Sequence, residues 1–179
     1  MYNKIDVKNK VLEKGLHYLT SDYKTRSNDR NNHNGMDFIG ENMSTDYIVA
    51  IEEGVVVTSR YSYTAGYFVE IKHNNGYISR YLHMLRDSLL VKVGDNVVKG
   101  QRLGYMGNSG ISNGKHLHFA VVNTTNTPQD PLPYLQNTLN FNIDCLKDFV
   151  TAVQKSLGVK VDGIITKQNK TWKKLLGLL

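Results

Sequence analysis

The sequence predicts a mainly β protein, an antiparallel β-sheet domain followed by a small α-helical C-terminal module. Three observations carry that expectation. From Tyr47 to Val122, short β-rich runs are punctuated by glycine, with no helical period of useful length between them. Strands spaced this way without intervening helices point to an antiparallel domain. All three prolines then fall within Thr127–Pro133, "TPQDPLP", which is a boundary signal. Beyond it the period changes. Ile143, Leu146, Val150, Val153 and Leu157 recur at three or four residues, as on one helix face, and Gly158 follows as a C-terminal stop.

The runs follow one another in a simple order. "DYIVAI" precedes "EEG" and "VVVTS". "YFVEIK", "HNNG" and "YISRYLHM" read as a hairpin joined at an Asn75-Gly76 turn. "LLVKV", a Gly94-Asp95 turn, "NVVKGQRLGYM", the glycine-rich loop "GNSGISNG" and "KHLHFAVV" complete the series. The expected organisation is a β domain over residues 1–135, a linker over 136–142 and a helical module over 143–179. In the module "KVDG" reads as a turn, and Trp172, Leu175, Leu176 and Leu179 suggest a second short helix. A tail of about 37 residues is marginal as an independent core.

Composition removes several classes. A chain of 179 residues with 40% apolar content can bury a core without disulfide staples, and Cys145 is alone, so a disulfide scaffold is excluded. No stretch approaches the roughly 18 apolar residues of a bilayer span, so no stable membrane insertion is expected. "MYNKIDVKNKVLEKG" has no continuous apolar region and is not read as a secretory signal. A net charge of +6 and a pI near 9.3 favour anionic partners: nucleic acid, a membrane surface or an acidic polymer such as bacterial cell wall. The basic residues are dispersed, and neither an aromatic RNA-binding run nor a zinc knuckle is present. A nucleic-acid partner is therefore not expected.

The chemistry concentrates in the histidines. Side chains alternate along a strand, so His116 and His118 share one face while Leu117 and Phe119 point to the core. "HNGMD" places His33 and Asp37 four apart, on one face of an extended segment. Two imidazole nitrogens from His33 and His118 and one carboxylate oxygen from Asp37 form a three-ligand set, which leaves a fourth position for water, as in a catalytic zinc site. Imidazole with carboxylate suits zinc better than magnesium or calcium. His116 and His83 remain nearby as groups able to accept and return a proton. The helical H-E-x-x-H arrangement is absent, so no glutamate base is identified. His73 reads as a turn residue and His17 as a surface position, each a bystander.

Taken together, H-x-x-x-D at His33 and Asp37, Y-x-H at Tyr81 and His83, and H-x-H at His116 and His118 closely resemble the M23 family of zinc metallopeptidases, the lysostaphin/LytM type. "VVVTS", "GYFVEIKHNNGYISRYLHM", "VKVGDNVVKGQRLGYMGNSG" and "GKHLHFAV" look like the family's successive strands and loops, so the likeness covers about residues 15–135. The resemblance implies an antiparallel M23 (LytM-like) catalytic domain with one zinc ion in a cleft across its sheet, hydrolysing amide bonds in the peptide part of peptidoglycan. It matches His33, Asp37 and His118 to the zinc ligands. His116 matches the residue that activates the water, and His83 the second active-site histidine. Tyr81 matches a tyrosine that either contacts the substrate or oxyanion, or packs. Met84 stands where leucine is frequent.

The tail "VTAVQKSLGVKVDGIITKQNKTWKKLLGLL" is similar to a peptidoglycan-binding helical module, matching at Val153, Gln154, Leu157, Asp162, Gly163 and Thr171, with Thr166 in place of a usual glycine. Its helices would alternatively pack on the catalytic domain or pair two subunits. A leaderless wall hydrolase of this kind looks like a bacteriophage endolysin, made in the host cytoplasm and reaching the wall after holin-type release. Two rivals stand beside it. A non-catalytic M23-like regulator of other wall hydrolases would characteristically lack metal ligands, and all are present here. A biotinyl or lipoyl carrier would need an exposed hairpin lysine in a "DK" or "MKM" setting, and would leave the histidines unexplained.

Overall fold

The computed structural model describes residues 3–5, 7–14, 18–24, 33–40 and 46–136. The chain divides into two units, residues 1–140 and 141–179, and every described residue belongs to the first. Most of the expected linker, the helical module over 143–179 with Cys145, any pairing of subunits through that module, and His17 lie outside the described residues.

The strands are β1 (Asn3–Lys4), β2 (Tyr18–Ser21), β3 (Met36–Ile39), β4 (Tyr47–Val49), β5 (Gly54–Ser62), β6 (Gly66–Lys72), β7 (Ile78–Met84), β8 (Asn96–Val97), β9 (Arg102–Tyr105), β10 (Leu117–Val122) and β11 (Pro128–Gln129), followed by a one-turn helix α1 (Leu132–Leu135). The large sheet runs β1-β2-β3-β10-β7-β6-β5-β8, with β11 paired to β10, and β4 pairs with β9 in a second small sheet. Every pairing is antiparallel. The expected hairpin is β6–β7. Gly76, at φ 84°, closes its turn by donating to the His73 carbonyl at 2.9 Å.

Three stretches depart from the sequence expectation. "LLVKV" forms no strand. Only Val91 in it is well buried, and single bonds such as Leu90 N–H to the Leu103 carbonyl hold it instead of a ladder. "NVVKGQRLGYM" is not one run. Gly100, at φ 80°, turns the chain so that β8 joins the large sheet and β9 the small one. The proline-rich stretch is not a free boundary, since β11 and α1 both lie in or beside it. The amides of Lys8 and Asn9 donate to the Leu135 carbonyl at 3.0 and 2.9 Å, tying α1 to the start of the chain.

The core draws on both sheets. Phe38, Tyr81 and Phe119 from the large sheet and Ile48 and Leu103 from the small one have no solvent exposure. Each such side chain contributes roughly 1.5–3 kcal/mol by leaving water. β10 comes late in the chain yet lies in the middle of the sheet, between β3 and β7, and all six of its residues are buried. That central position brings the site residues together.

Candidate metal centre

Asp37 on β3 and His118 on β10 are Cα partners across the ladder, and Leu82 on β7 is the partner of His118 on its other side. His33 enters from the segment just before β3. The three side chains converge. His118 Nδ1 lies 2.8 Å from Asp37 Oδ1, His33 Nε2 lies 3.1 Å from Asp37 Oδ1, and the two ring nitrogens are 3.1 Å apart. All three residues are buried and offer one ligand atom each to a metal ion. Edges near 3 Å suit atoms that share one ion through bonds of about 2.0–2.1 Å.

Local hydrogen bonds decide which nitrogen faces the cluster. His33 Nδ1 donates to the Asp22 carbonyl at 2.7 Å, which leaves the Nε2 lone pair aimed at Asp37 and His118. Orienting a ligand imidazole through its other nitrogen is the usual outer-shell device of metal sites. Lone pairs of two imidazoles and a carboxylate facing one another repel unless positive charge lies between them. The donor set therefore fits a cation.

His116 and His83 flank this triangle as expected. His116 Nδ1 donates to the Gly114 carbonyl at 2.8 Å, and its Nε2 comes within 3.7 Å of Asp37 Oδ1. His83 Nδ1 donates to the Ser109 carbonyl at 2.9 Å. The His83 ring centroid is 4.9 Å from that of His116 and 6.1 Å from that of His118. Both rings thus keep an unprotonated Nε2 in the neutral state.

Tyr81 does not join them: of the two roles open to it, contact or packing, its surroundings are those of a packed core residue. It has no solvent exposure, lies 5.4 Å from Phe119 between ring centroids, and its hydroxyl accepts the Ile51 N–H at 2.9 Å. Simple alternation would put Tyr81 and His83 on one face. A β-bulge separates them. The β6–β7 register pairs Val69 with Tyr81 and Tyr67 with Met84, and His83 adopts φ 60°. Met84 continues the buried row after Tyr81, while His83 turns to the other side. Bulges re-aim side chains in this way, and a left-handed non-glycine residue costs about 1–3 kcal/mol that the surroundings must offset.

The electrostatics follow from burial and contact. Burial alone would raise the Asp37 pKa, but hydrogen bonds and attraction from His118 and His33 outweigh it and hold the carboxyl well below the usual range. Burial pushes the His118 imidazole below its ordinary value against the opposing pull of Asp37. Burial does the same to His83, aided by the neighbouring His116 and His118 and opposed by the Ser109 carbonyl. Low histidine values and an ionised carboxylate keep metal-binding lone pairs available near neutral pH.

Two adjoining cavities meet at the cluster. One cavity of about 330 Å³ includes Thr20, Ser21, Asp37, Ile111, Lys115 and His116 in its lining; another of about 350 Å³ includes His33, Asn34, Thr64, Ala65 and His118. His83 and Ile111 line both.

Sequence reasoning missed several supporting residues. A Cβ at Gly35 would lie 2.5 Å from the Phe119 carbonyl oxygen and 2.7 Å from His118 Nε2, so only glycine lets the His33–Asp37 segment approach β10. The H-x-G-x-D pattern of "HNGMD" does not encode that contact. The carbonyls of Asp22, Ser109 and Gly114 that set the three rings are invisible in side-chain motifs, although the loop "GNSGISNG" beside His116 marked two of them. His73, read as a bystander, does occupy the turn but is buried. Its Nδ1 donates to the Glu53 carbonyl at 2.6 Å, and its Nε2 lies 2.9 Å from Ser79 Oγ, itself 3.2 Å from the Tyr81 hydroxyl.

Known proteins share this sequence and fold. The chain is 43% identical over 93 residues to the peptidoglycan DD-endopeptidase ShyA of Vibrio cholerae, covering 50% of this chain and 20% of that protein. It is 38% identical over 109 residues to lysostaphin of Staphylococcus simulans, covering 59% and 22%. The chain thus spans about a fifth of the length of these curated relatives. Among solved structures, lysostaphin from Staphylococcus simulans superposes with a TM-score of 0.59 at 31% identity, covering 66% of this chain and 49% of that one. The catalytic domain of the prophage-encoded M23 protein EnpA from Enterococcus faecalis gives 0.56 at 30%, covering 64% and 88%. The sequence pattern described as Peptidase family M23 matches residues 31–131. That match takes in every member of the cluster from His33 to His118 and more than half of the sequence, and the chain belongs to peptidase family M23.

Proposed function

We propose that the protein is a zinc-dependent endopeptidase that hydrolyses amide bonds in the peptide stems or cross-bridges of bacterial peptidoglycan, and that it serves as a phage endolysin. One observation carries the reading: the His33, Asp37 and His118 ligand atoms close on one point, with His83 and His116 beside it, where two cavities adjoin.

His33 Nε2, Asp37 and His118 Nδ1 would hold one zinc ion, which lowers the pKa of water and polarises the scissile carbonyl. His116, with Nδ1–H committed to Gly114, offers Nε2 as the general base for the attacking water. His83 presents a second Nε2 that would share the proton His116 takes from the water, donate with it to the oxyanion as the carbonyl becomes tetrahedral, and return it to His116. The proton on His116 then passes to the amine as the carbon–nitrogen bond breaks.

The relatives named as peptidoglycan and glycyl-glycine endopeptidases support the substrate class, and the likeness to the prophage-encoded EnpA is in keeping with a phage role. A second reading is a non-catalytic wall-hydrolase regulator. The complete ligand set of His33, Asp37 and His118 opposes it. Digestion of purified peptidoglycans of different cross-link chemistry, with and without a zinc chelator and with mass analysis of the fragments, separates the two. Chelator-sensitive release of stem or bridge peptides is expected. Intact peptidoglycan in every digest, with zinc bound, would leave the regulator.

A further inference from the structure

Ser109 stands outside both cavities, yet it touches the bulge that presents His83 from three directions. Its hydroxyl accepts the Tyr67 N–H at 2.9 Å and donates to the Met84 carbonyl. Tyr67 and Met84 are register partners in the β6–β7 ladder. One hydroxyl thus relays a bond between strands where the bulge disturbs the pairing. The carbonyl of the same residue accepts His83 Nδ1–H at 2.9 Å, fixing which nitrogen faces the cleft.

The approach is close. A Cβ on Gly66 would lie 2.3 Å from Ser109 Oγ, and one on Gly110 would lie 2.3 Å from the Gly66 nitrogen. Both glycines have left-handed φ values, 68° and 76°. The loop is also pinned by Ile111 N–H to the Thr64 carbonyl at 3.0 Å, and His83 N–H donates to Ala65 at 2.9 Å. The strained His83 backbone is therefore clamped by the residues after β5 on one side and by Ser109 on the other.

We propose that Ser109 is a positioning residue for His83: its hydroxyl holds the β7 bulge and its carbonyl sets the imidazole, so that Nε2 faces the metal centre. The inference rests on the proposed hydrolase reading for the role of His83, but not for the contact itself.

The test is a double-mutant cycle on the full chain, loaded with zinc and assayed on purified peptidoglycan. Ser109→Ala is expected to lower kcat on the order of tenfold to a hundredfold, as small misplacements of catalytic groups do, with KM and zinc content unchanged. In a His83→Ala background the same change should cost less than about twofold, because the group it serves is gone. Ser109→Cys, with a weaker donor of similar shape, should fall between Ser109→Ala and the parent, and takes the place of Ser109→Ala in the cycle should alanine unfold the chain. Equal fold-losses with and without His83 would overturn the proposal.

Nitrogen-15 spectra of the His83 ring supply a readout that needs no turnover. The hydrogen-bonded Nδ1–H signal should broaden or exchange in Ser109→Ala. An unchanged His83 spectrum overturns the positioning role even if the parent protein cleaves no wall. Absent cleavage with an altered spectrum instead removes the hydrolase reading and leaves the contact standing.

Discussion

Asp37 and His118 face each other across the β3–β10 ladder, and their side chains meet at 2.8 Å although 81 residues separate them in sequence. The cluster is therefore a property of the sheet, held by backbone pairing and then used by side chains. His118→Ala is expected to lose both zinc and hydrolysis. His116→Ala, whose ring only approaches Asp37 at 3.7 Å, should keep most of its zinc while activity falls on the order of 10²–10⁴. Metal analysis beside a turbidity assay checks both, and a zinc-free His116→Ala protein would reverse the two assignments.

Gly35→Ala puts a methyl group where the Phe119 carbonyl and the His118 ring already lie. Neither neighbour is the flexible end of a long side chain. We expect zinc affinity to fall on the order of tenfold to a hundredfold, as for lost ligand support. Stability should fall by about 1–3 kcal/mol, as for overpacking. Competition with a chelating dye and a urea melt measure the two.

Tyr81→Phe removes a hydroxyl that accepts the Ile51 N–H inside the core. The stranded buried donor should lower stability by about 1–3 kcal/mol, with kcat within a few-fold of the parent. A hundredfold fall in kcat at unchanged melting temperature would return Tyr81 to the catalytic machinery.

His73 makes stability depend on pH. Burial holds its imidazole below the ordinary 6.5, against the pull of the Glu53 carbonyl. The unfolded chain then takes up a proton at higher pH than the folded one, so stability falls as pH drops below 6.5 toward the folded value. The contribution is complete above the unfolded value. Melting temperature should drop between pH 7 and 5, and His73→Asn, which cannot take up that proton, should flatten the drop. An equal drop in both proteins would assign the acid sensitivity elsewhere.

The sequence made the site more legible than its surroundings. His33, Asp37, His83, His116 and His118 carry chemistry in their side chains, and strand alternation or short spacing placed most of them correctly. For Tyr81 the Y-x-H likeness left contact and packing open, and the bulge that separates it from His83 has no glycine or proline in β7 to announce it. "LLVKV" has the composition of a strand but makes single bonds, such as Leu90 N–H to the Leu103 carbonyl, and no ladder, which its composition does not reveal. Gly35 and Ser109 act through backbone proximity across the sheet, a relation no local pattern encodes. The β6–β7 hairpin was readable because Asn75-Gly76 writes its turn locally.

The placement of β10 between β3 and β7 also sets when the ligand set can be complete. Two ligand atoms reach the cluster from before β4, while the third waits on a strand that must slot between neighbours laid down far apart in time. Without His118 the chain holds only two of the three ligand atoms. The complete set therefore depends on that strand taking its place between β3 and β7.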